Sequence, residues 1–286
     1  MYNLSFLTDE YSSMIEEVIE YAIYEQIHLL ELRTICGKNV VDFSLESLKK
    51  IAKKIRDAKL FVSCLASPLL KWYPDHISKL ESSNIRLHTF QYQKSEKKNI
   101  YKKVFEIADI FQTKYIRVFS FLKYPQFKDD ELDGEFEILI KFAEEYDKIL
   151  LVENEPVCNI DTLRKLYQFL ARINHMRVRA LFDIGNLYEL GYCVQLDELV
   201  NICPYLEYLH LKDFSSDTSG YTVIGHGDVD FKEYFTSLNN LKLFDKVIFS
   251  VETHVNGEKK RATDLSIKYV RNLLEKLSGK KDDVRH

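Results

Sequence analysis

Eight short apolar runs alternate with longer amphipathic segments along the whole 286-residue chain. The runs are rich in Val, Ile, Leu and Phe throughout, which is typical of parallel strands covered on both faces. The predicted strands span residues 2–7, 28–33, 60–66, 114–120, 149–153, 178–183, 206–212 and 247–253. The predicted helices span residues 11–26, 45–58, 95–111, 130–147, 161–174, 195–202, 231–240 and 262–277. This repeated order of strand and helix predicts an α/β protein with a parallel sheet.

The number of these units favours closure into a (β/α)₈ barrel, the TIM barrel, which typically takes about 250 residues as one domain. The sequence shows no linker, low-complexity segment or clear repeat. We therefore expect one barrel domain over residues 1–278 and a frayed, charged tail over 279–286. A doubly wound sheet is the main alternative, but no Gly-rich turn follows the first strand. Long connections at 67–93 and 213–230 are expected at the C-terminal mouth of the barrel.

The composition indicates a soluble protein without an affinity for polyanions. The chain is 46% hydrophobic and 29% charged, with a net charge of −4, so nucleic acid and anionic membranes are not expected as partners. No apolar run approaches the ~18 residues of a membrane span, and the first residues do not resemble a secretion signal. The five cysteines lack a C-x-x-C motif, which favours reduced thiols in a cytoplasmic protein. A homo-oligomer is left open.

The last four predicted strands each carry, at or near the C-terminal end, a side chain that can bind a divalent metal. In chain order these are Glu153, Asp183, His210 and Glu252. Neighbouring strands of a barrel bring such ends together at the C-terminal mouth, where barrel active sites lie. A single strand-end carboxylate is often only a hydrogen-bonded rim residue, but four on adjacent strands indicate a site. Three carboxylates and one imidazole suit a hard or borderline ion such as Mg²⁺, Mn²⁺ or Zn²⁺.

The segments around these residues resemble the xylose isomerase-like barrel superfamily of sugar isomerases and epimerases. The matching segments are Val152-Glu153-Asn154, Phe182-Asp183-Ile184-Gly185-Asn186, His210-Leu211-Lys212-Asp213, Gly225-His226-Gly227-Asp228-Val229-Asp230-Phe231, Val251-Glu252 and, in the fourth strand, residues 116–121. The similarity extends over most of the chain, and its specific motifs begin at the fifth strand. It implies that the four strand-end residues ligate one divalent ion, either Mn²⁺, Mg²⁺, Co²⁺ or Zn²⁺. It also implies that Glu153 and Glu252 form an acid/base pair.

The expected function is therefore that of a sugar or sugar-phosphate epimerase or isomerase acting through a cis-enediolate. The ion would act as a Lewis acid on a small sugar or sugar phosphate. Glu153 and Glu252 would approach the carbon from two sides, and a metal-bound carboxylate stays ionised, which suits a base. An inosose-type dehydratase would use the same metal and bases, so it remains an alternative.

Two residues share strand parity with the predicted ligands and are candidates for substrate binding. Lys212 follows His210 at a spacing of two and would lie one step nearer the mouth. His254 follows Glu252 in the same way. For Lys212 the alternative is a rim lysine paired with a carboxylate, and for His254 it is a contact with the metal ligand rather than with substrate.

Three further substrate-binding candidates come from less regular positions. Asn186 occupies the position at which metal-rich relatives carry a histidine. His226 lies in a Gly-x-Gly turn at which many epimerases have a glutamate, and a surface turn is favoured for it. Glu31 faces the same side of the second strand as Arg33, and an internal salt bridge between them is favoured over a substrate role.

Two other classes of protein are weighed against the isomerase. A DNA-repair enzyme resembling an AP endonuclease would need a three-zinc cluster with extra histidines, but position 186 is Asn and residues 214–224 contain no histidine. The negative net charge also disfavours it. A non-catalytic sugar-binding barrel is disfavoured by the intact Glu153 and Glu252, although intact ligands alone do not establish turnover.

Overall fold

Eight parallel strands form a closed barrel in the computed structural model, which describes residues 2–77, 96–192, 194–255 and 257–279. The strands are β1 Asn3–Leu7, β2 Leu29–Leu32, β5 Phe61–Leu65, β6 Tyr115–Val118, β7 Ile149–Glu153, β8 Val178–Asp183, β9 Leu206–Leu211 and β12 Ile248–Val251. Their order around the barrel is β1-β12-β9-β8-β7-β6-β5-β2. The predicted (β/α)₈ fold is confirmed, and the doubly wound alternative is wrong because the sheet closes. Our expectations for residues 78–93, for Cys193 and for the tail beyond Gly279 lie outside the described residues.

Helices follow the strands and cover the outside of the barrel. They are α1 Thr8–Tyr11, α2 Ile15–Tyr24, α3 Leu45–Asp57, α4 Lys97–Ile110, α5 Asp133–Glu145, α6 Leu163–Ile173, α7 Ile184–Glu189, α8 Leu196–Ile202, α9 Phe231–Asn240 and α10 Lys259–Leu277. Two short hairpins, β3 Thr34–Ile35 with β4 Lys38–Asn39 and β10 Asp213–Ser215 with β11 Gly220–Thr222, lie outside the barrel sheet. Among the described residues, no helix is both long enough and apolar enough to cross a membrane.

The helix predicted over residues 11–26 is observed as α2, and a separate short helix, α1, which was not predicted, ends at Tyr11. Ser12 ends α1 in an extended conformation, and its hydroxyl accepts a hydrogen bond from the backbone N–H of Met14 at 3.1 Å. Serine side chains compete in this way with helical backbone bonds, so the Ser12-Ser13 pair interrupts the helix. The short α7 was not predicted. It begins directly after β8, where Asp183 Oδ1 caps it by accepting from Asn186 N at 2.9 Å.

The barrel interior is apolar at its floor and charged at its mouth because alternate residues of each strand point inward. The floor is a separate apolar cluster that includes Tyr115, Leu151, Leu181 and Tyr208. Continuing the same parity toward the C-terminal ends leads to the charged residues of the mouth. All of these charged residues are buried: Glu31, Arg117, Glu153, Asp183, His210, Lys212 and Glu252.

The loop after β11 is held by the single carboxylate of Asp213, which lies in β10. Asp213 accepts hydrogen bonds from the backbone N–H groups of Gly225 at 2.8 Å, Gly227 at 2.9 Å and Val229 at 3.2 Å. This arrangement fixes the base of the β10–β11 hairpin, which carries Tyr221 to the mouth of the barrel.

Gly185 is required where α7 crosses β9, because a Cβ there would lie 2.5 Å from both the Cβ and the carbonyl oxygen of Lys212. We predict that Gly185→Ala lowers the free energy of unfolding by about 1–3 kcal/mol, the usual cost of overpacking. Gly134 in α5 is the matched control, since nothing lies within 4 Å of its added Cβ. Gly134→Ala should be neutral or stabilising by about 1 kcal/mol. Urea denaturation measures both values, and equal effects would contradict the close approach.

Candidate metal centre

Four side chains from neighbouring strands meet at the C-terminal mouth, as the sequence predicts. Glu153, Asp183 and His210 lie on β7, β8 and β9, and Glu252 directly follows β12. One ligand atom from each lies within 4.8 Å of the ligand atoms of the other three. All four residues are buried, so their charges face one another with little water between them.

The Nδ1 atom of His210 lies at the centre of the three carboxylates. It is 3.1 Å from Glu153 Oε1, 3.0 Å from Glu252 Oε2 and 3.7 Å from Asp183 Oδ2. Three anions this close repel one another strongly in a buried site. The arrangement therefore needs positive charge, either from the protein or from a bound cation.

One buried oxygen of each carboxylate has no hydrogen-bond partner in the described part of the chain. These are Glu153 Oε2, Asp183 Oδ2 and Glu252 Oε2. Lys212 Nζ lies 2.9 Å from Asp183 Oδ2 and 3.2 Å from Glu252 Oε2, so it contributes charge without a well-aligned hydrogen bond. Buried polar atoms are rarely left without a partner. A set of free carboxylate oxygens beside an imidazole nitrogen fits a divalent ion of the Mn²⁺, Zn²⁺, Co²⁺ or Mg²⁺ type.

Glu31 lies beneath His210 and contacts its other nitrogen, so the predicted salt bridge between Glu31 and Arg33 is wrong. His210 Nε2 is 2.9 Å from Glu31 Oε1 and 3.0 Å from Oε2. Ser250 Oγ and Tyr208 Oη donate to Glu31 Oε2 at 2.6 and 3.0 Å. The pairing of β2 with β5 shifts register between Leu30 and Glu31, and the inward carboxylate meets β9 and β12 instead. Since Glu31 is fully buried below the imidazole, it orients His210 rather than facing a substrate.

Lys212 and Asn186 form the side of the mouth next to β8. Lys212 Nζ donates to Asn186 Oδ1 at 3.1 Å, and Tyr221 Oη donates to the same oxygen at 3.1 Å. Asn186 Nδ2 donates to the carbonyl of Asn154 at 2.9 Å. The ring of Tyr221 lies 5.2 Å from Lys212 Nζ. Both sequence-predicted residues are therefore at the site, with Asn186 acting as an acceptor for Lys212.

His254 lies on the β12 side of the mouth, next to Glu252. His254 Nε2 is 2.8 Å from Glu252 Oε1, and 25% of the side chain is exposed, which leaves it accessible to a ligand. Its ring contacts Tyr221 edge to face at 5.2 Å. His226 is exposed on the turn after the hairpin, the surface position favoured for it from the sequence. A role for it in substrate binding stays a prediction.

Electrostatics keep the glutamates ionised. Burial raises the pKa of Glu153, but the charges of Arg117 and His210 outweigh burial and lower that pKa to about 2. Burial likewise opposes ionisation of Glu252, and Lys212, His254 and His210 together hold its pKa well below the usual value. Both carboxylates are therefore charged at neutral pH and can bind a cation or accept a proton.

Three residues of the site, Arg117, Glu10 and Tyr221, were not predicted from the sequence. Arg117 on β6 points inward, with Nη1 3.3 Å from Glu153 Oε2. A charged residue within an otherwise apolar strand was the sequence feature that could have identified it as part of the site. Glu10 reaches the mouth of the barrel from α1, and Tyr221 reaches it from the β10–β11 hairpin. Neither of these lies at a strand end, and no periodic pattern in the sequence singles them out.

The chain matches the family described as xylose isomerase-like TIM barrel over residues 27–273 and belongs to that family. No curated protein matches the chain by sequence.

Solved structures share the fold at low sequence identity. The IOLI protein with a binding zinc atom has a TM-score of 0.74 and 16% identity, covering 97% of this chain and 99% of that one. An L-ribulose 3-epimerase has a TM-score of 0.73 and 13% identity, with 100% and 99% covered. The probable 3-DHS dehydratase AsbF of Bacillus anthracis, involved in petrobactin synthesis, has a TM-score of 0.72 and 16% identity, with 94% and 99% covered. At these identities the similarity shows the fold.

The contact between Glu31 and His210 predicts an effect on metal affinity. The negative charge of Glu31 orients the imidazole and makes Nδ1 of His210 a stronger metal ligand. Glu31→Gln removes that charge. Loss of such a partner typically costs about 10–100-fold in metal affinity. Titration calorimetry with Mn²⁺ measures the change. Ser250→Ala is the control, because it removes one donor to Glu31 and leaves the His210 contact, so its effect should be smaller. Equal affinity in Glu31→Gln and the unsubstituted protein would contradict this role.

Proposed function

We propose that the protein is a divalent-metal-dependent epimerase or isomerase of a sugar or sugar phosphate. The observation that supports this most is the set of three buried carboxylate oxygens around His210 Nδ1, which have ion-pair contacts to Arg117 or Lys212 but no hydrogen-bond partner among the described residues. Buried carboxylate oxygens in a purely structural network usually accept hydrogen bonds as well. Membership of the xylose isomerase-like family and the fold shared with an epimerase are consistent with the proposal.

The proposed ion ligands are Glu153, Asp183, His210 and Glu252. A divalent ion held by them would supply Lewis-acid polarisation of a sugar carbonyl and so lower the cost of the negative charge that develops there. Asp183 is already oriented for this role, since its other oxygen caps α7. Glu31 keeps Nε2 of His210 occupied, so Nδ1 faces the ligand cluster.

Glu153 and Glu252 are the proposed acid/base pair. Glu153 ends β7 and Glu252 directly follows β12, the two outer strands of the arc β7-β8-β9-β12, so they approach a substrate from two sides. Both are ionised at neutral pH, and only the ionised form can remove a proton from the carbon next to a carbonyl. One carboxylate takes that proton, and the other, after taking up a proton from solvent, delivers it to the opposite face of the carbon. Lys212 and His254 lie where they can hold sugar oxygens.

A dehydratase is the second candidate. The fold shared with a probable 3-DHS dehydratase favours it, and the same two glutamates would serve. The reaction would differ in the fate of the neighbouring hydroxyl, which leaves as water after the proton is removed. An endonuclease is disfavoured because position 186, where it would need a histidine ligand, is an asparagine whose Oδ1 accepts hydrogen bonds from Lys212 and Tyr221.

The test combines a ketose panel with solvent exchange. The Mn²⁺-supplemented protein is incubated in D₂O with free and phosphorylated ketoses, and NMR identifies the carbon that gains deuterium. Glu153→Gln and Glu252→Gln should each reduce deuterium incorporation by about 10²–10⁴-fold, the usual contribution of a general base. Glu46→Gln is the control, because its side chain is 81% exposed on α3.

Three results would contradict the proposal. Normal turnover in either glutamine variant would exclude the acid/base pair. A chelator that changes neither activity nor thermal stability would exclude the metal. Cleavage of abasic DNA with about three zinc ions per chain would identify the other enzyme class.

A further inference from the structure

A second group of metal-type side chains adjoins the first centre and is occupied by an arginine. Glu10, Glu252 and His254 place one ligand atom each within 4.8 Å of one another. The guanidinium of Arg33 contacts all three. Its Nη2 lies 2.6 Å from Glu10 Oε1, and its Nη1 lies 2.7 Å from Glu252 Oε1 and 3.3 Å from His254 Nε2.

The acidic side of this cluster is fixed by contacts that do not involve Arg33. Glu10 Oε2 accepts hydrogen bonds from Thr253 Oγ1 at 3.1 Å and from the backbone N–H of His254 at 3.0 Å. Asp9 Oδ2, which accepts from Arg33 Nε at 3.1 Å, also accepts from Thr34 Oγ1 at 2.9 Å. The carboxylates are thus held in place independently of the cation.

Glu252 belongs to both clusters and is divided between them. Its Oε1 faces Arg33 and His254 at 2.7 and 2.8 Å. Its Oε2 faces His210 at 3.0 Å and has no hydrogen-bond partner among the described residues. Arg33 therefore fixes which oxygen of Glu252 faces the first centre.

We propose that Arg33 is the resident cation of the Glu10–Glu252–His254 cluster, which keeps the centre mononuclear and presents Glu252 Oε2 to the first ion. Without Arg33, this cluster becomes a second divalent-metal site that shares Glu252 with the first. The inference rests on the proposed function, because it takes the first centre to bind a metal. Arg33 acts through Glu252 and is a positioning residue.

Arginine suits this role for physical reasons. Its planar fork can bind two carboxylates at once, and it stays protonated at any physiological pH. A resident guanidinium thus excludes a metal regardless of metal concentration or pH. When it is removed, the two buried carboxylates Glu10 and Glu252 lose the cation that they share, which is unfavourable. Carboxylates with a neutral imidazole then offer a ligand set that binds Mn²⁺ or Zn²⁺.

The test measures bound Mn²⁺ per chain by elemental analysis after equilibration with excess Mn²⁺ and desalting. We expect one ion in the unsubstituted protein and two in Arg33→Ala. Arg33→Gln, which retains more of the side-chain volume, carries the same expectation and serves if Arg33→Ala does not fold. Adding Glu10→Gln to either variant should return the count to one. In electron paramagnetic resonance, the two-ion variant should show a spin-coupled Mn²⁺ spectrum, because Glu252 would bridge the ions.

Arg117→Ala is the matched control. Arg117 is also buried and contacts a ligand glutamate, Glu153, but it borders no second cluster among the described residues. It should therefore leave the count at one. One ion in both Arg33 variants, or a second ion that survives Glu10→Gln, would overturn this inference alone. No ion in the unsubstituted protein would overturn both the proposed function and this inference.

Discussion

The buried negative charge at the barrel mouth is the constraint on which the rest of the site depends. Glu31, Glu153, Asp183 and Glu252 are all 1% exposed or less, and burying carboxylates is unfavourable unless each is matched by a cation and by hydrogen bonds. The chain provides a separate cation close to each of them. In the same order these are His210, Arg117, Lys212 and Arg33. Even so, three inner oxygens keep free lone pairs, and this combination of compensated charge and free lone pairs favours a site for a divalent ion over a purely structural network.

The barrel topology explains how residues far apart in sequence meet. Asp183 is paired directly with His210 across β8 and β9, and His210 is paired with Ser250 across β9 and β12. Glu252 lies two residues beyond Ser250, so it has the same inward parity, one step nearer the mouth. The apolar floor below these residues supports them. Close packing at Gly185 lets α7 approach β9, which brings Asn186 and Lys212 together.

The sequence predicts the parts of the structure that follow regular patterns. The eight strands could be predicted because each is a continuous apolar run. The four convergent side chains could be predicted because each lies at or near the end of such a run, and parallel strands bring these ends together. The partners of Glu31 and Arg33 could not, because a register shift in β2 is invisible in the sequence. Glu10 and Tyr221 come from a short helix and a hairpin, where no periodicity marks an inward position. The helix α7 is only six residues long, too short for an amphipathic pattern to be recognised.

The central claim is that four strand-end side chains bind one ion at a single point. An anomalous-difference map from crystals grown with Mn²⁺ tests this most directly. We expect one strong peak in direct contact with Glu153, Asp183, Nδ1 of His210 and Glu252. We also expect that Nε2 of His210 still faces Glu31. A peak elsewhere, a peak bound through Nε2, or no peak at saturating Mn²⁺ would contradict the central claim.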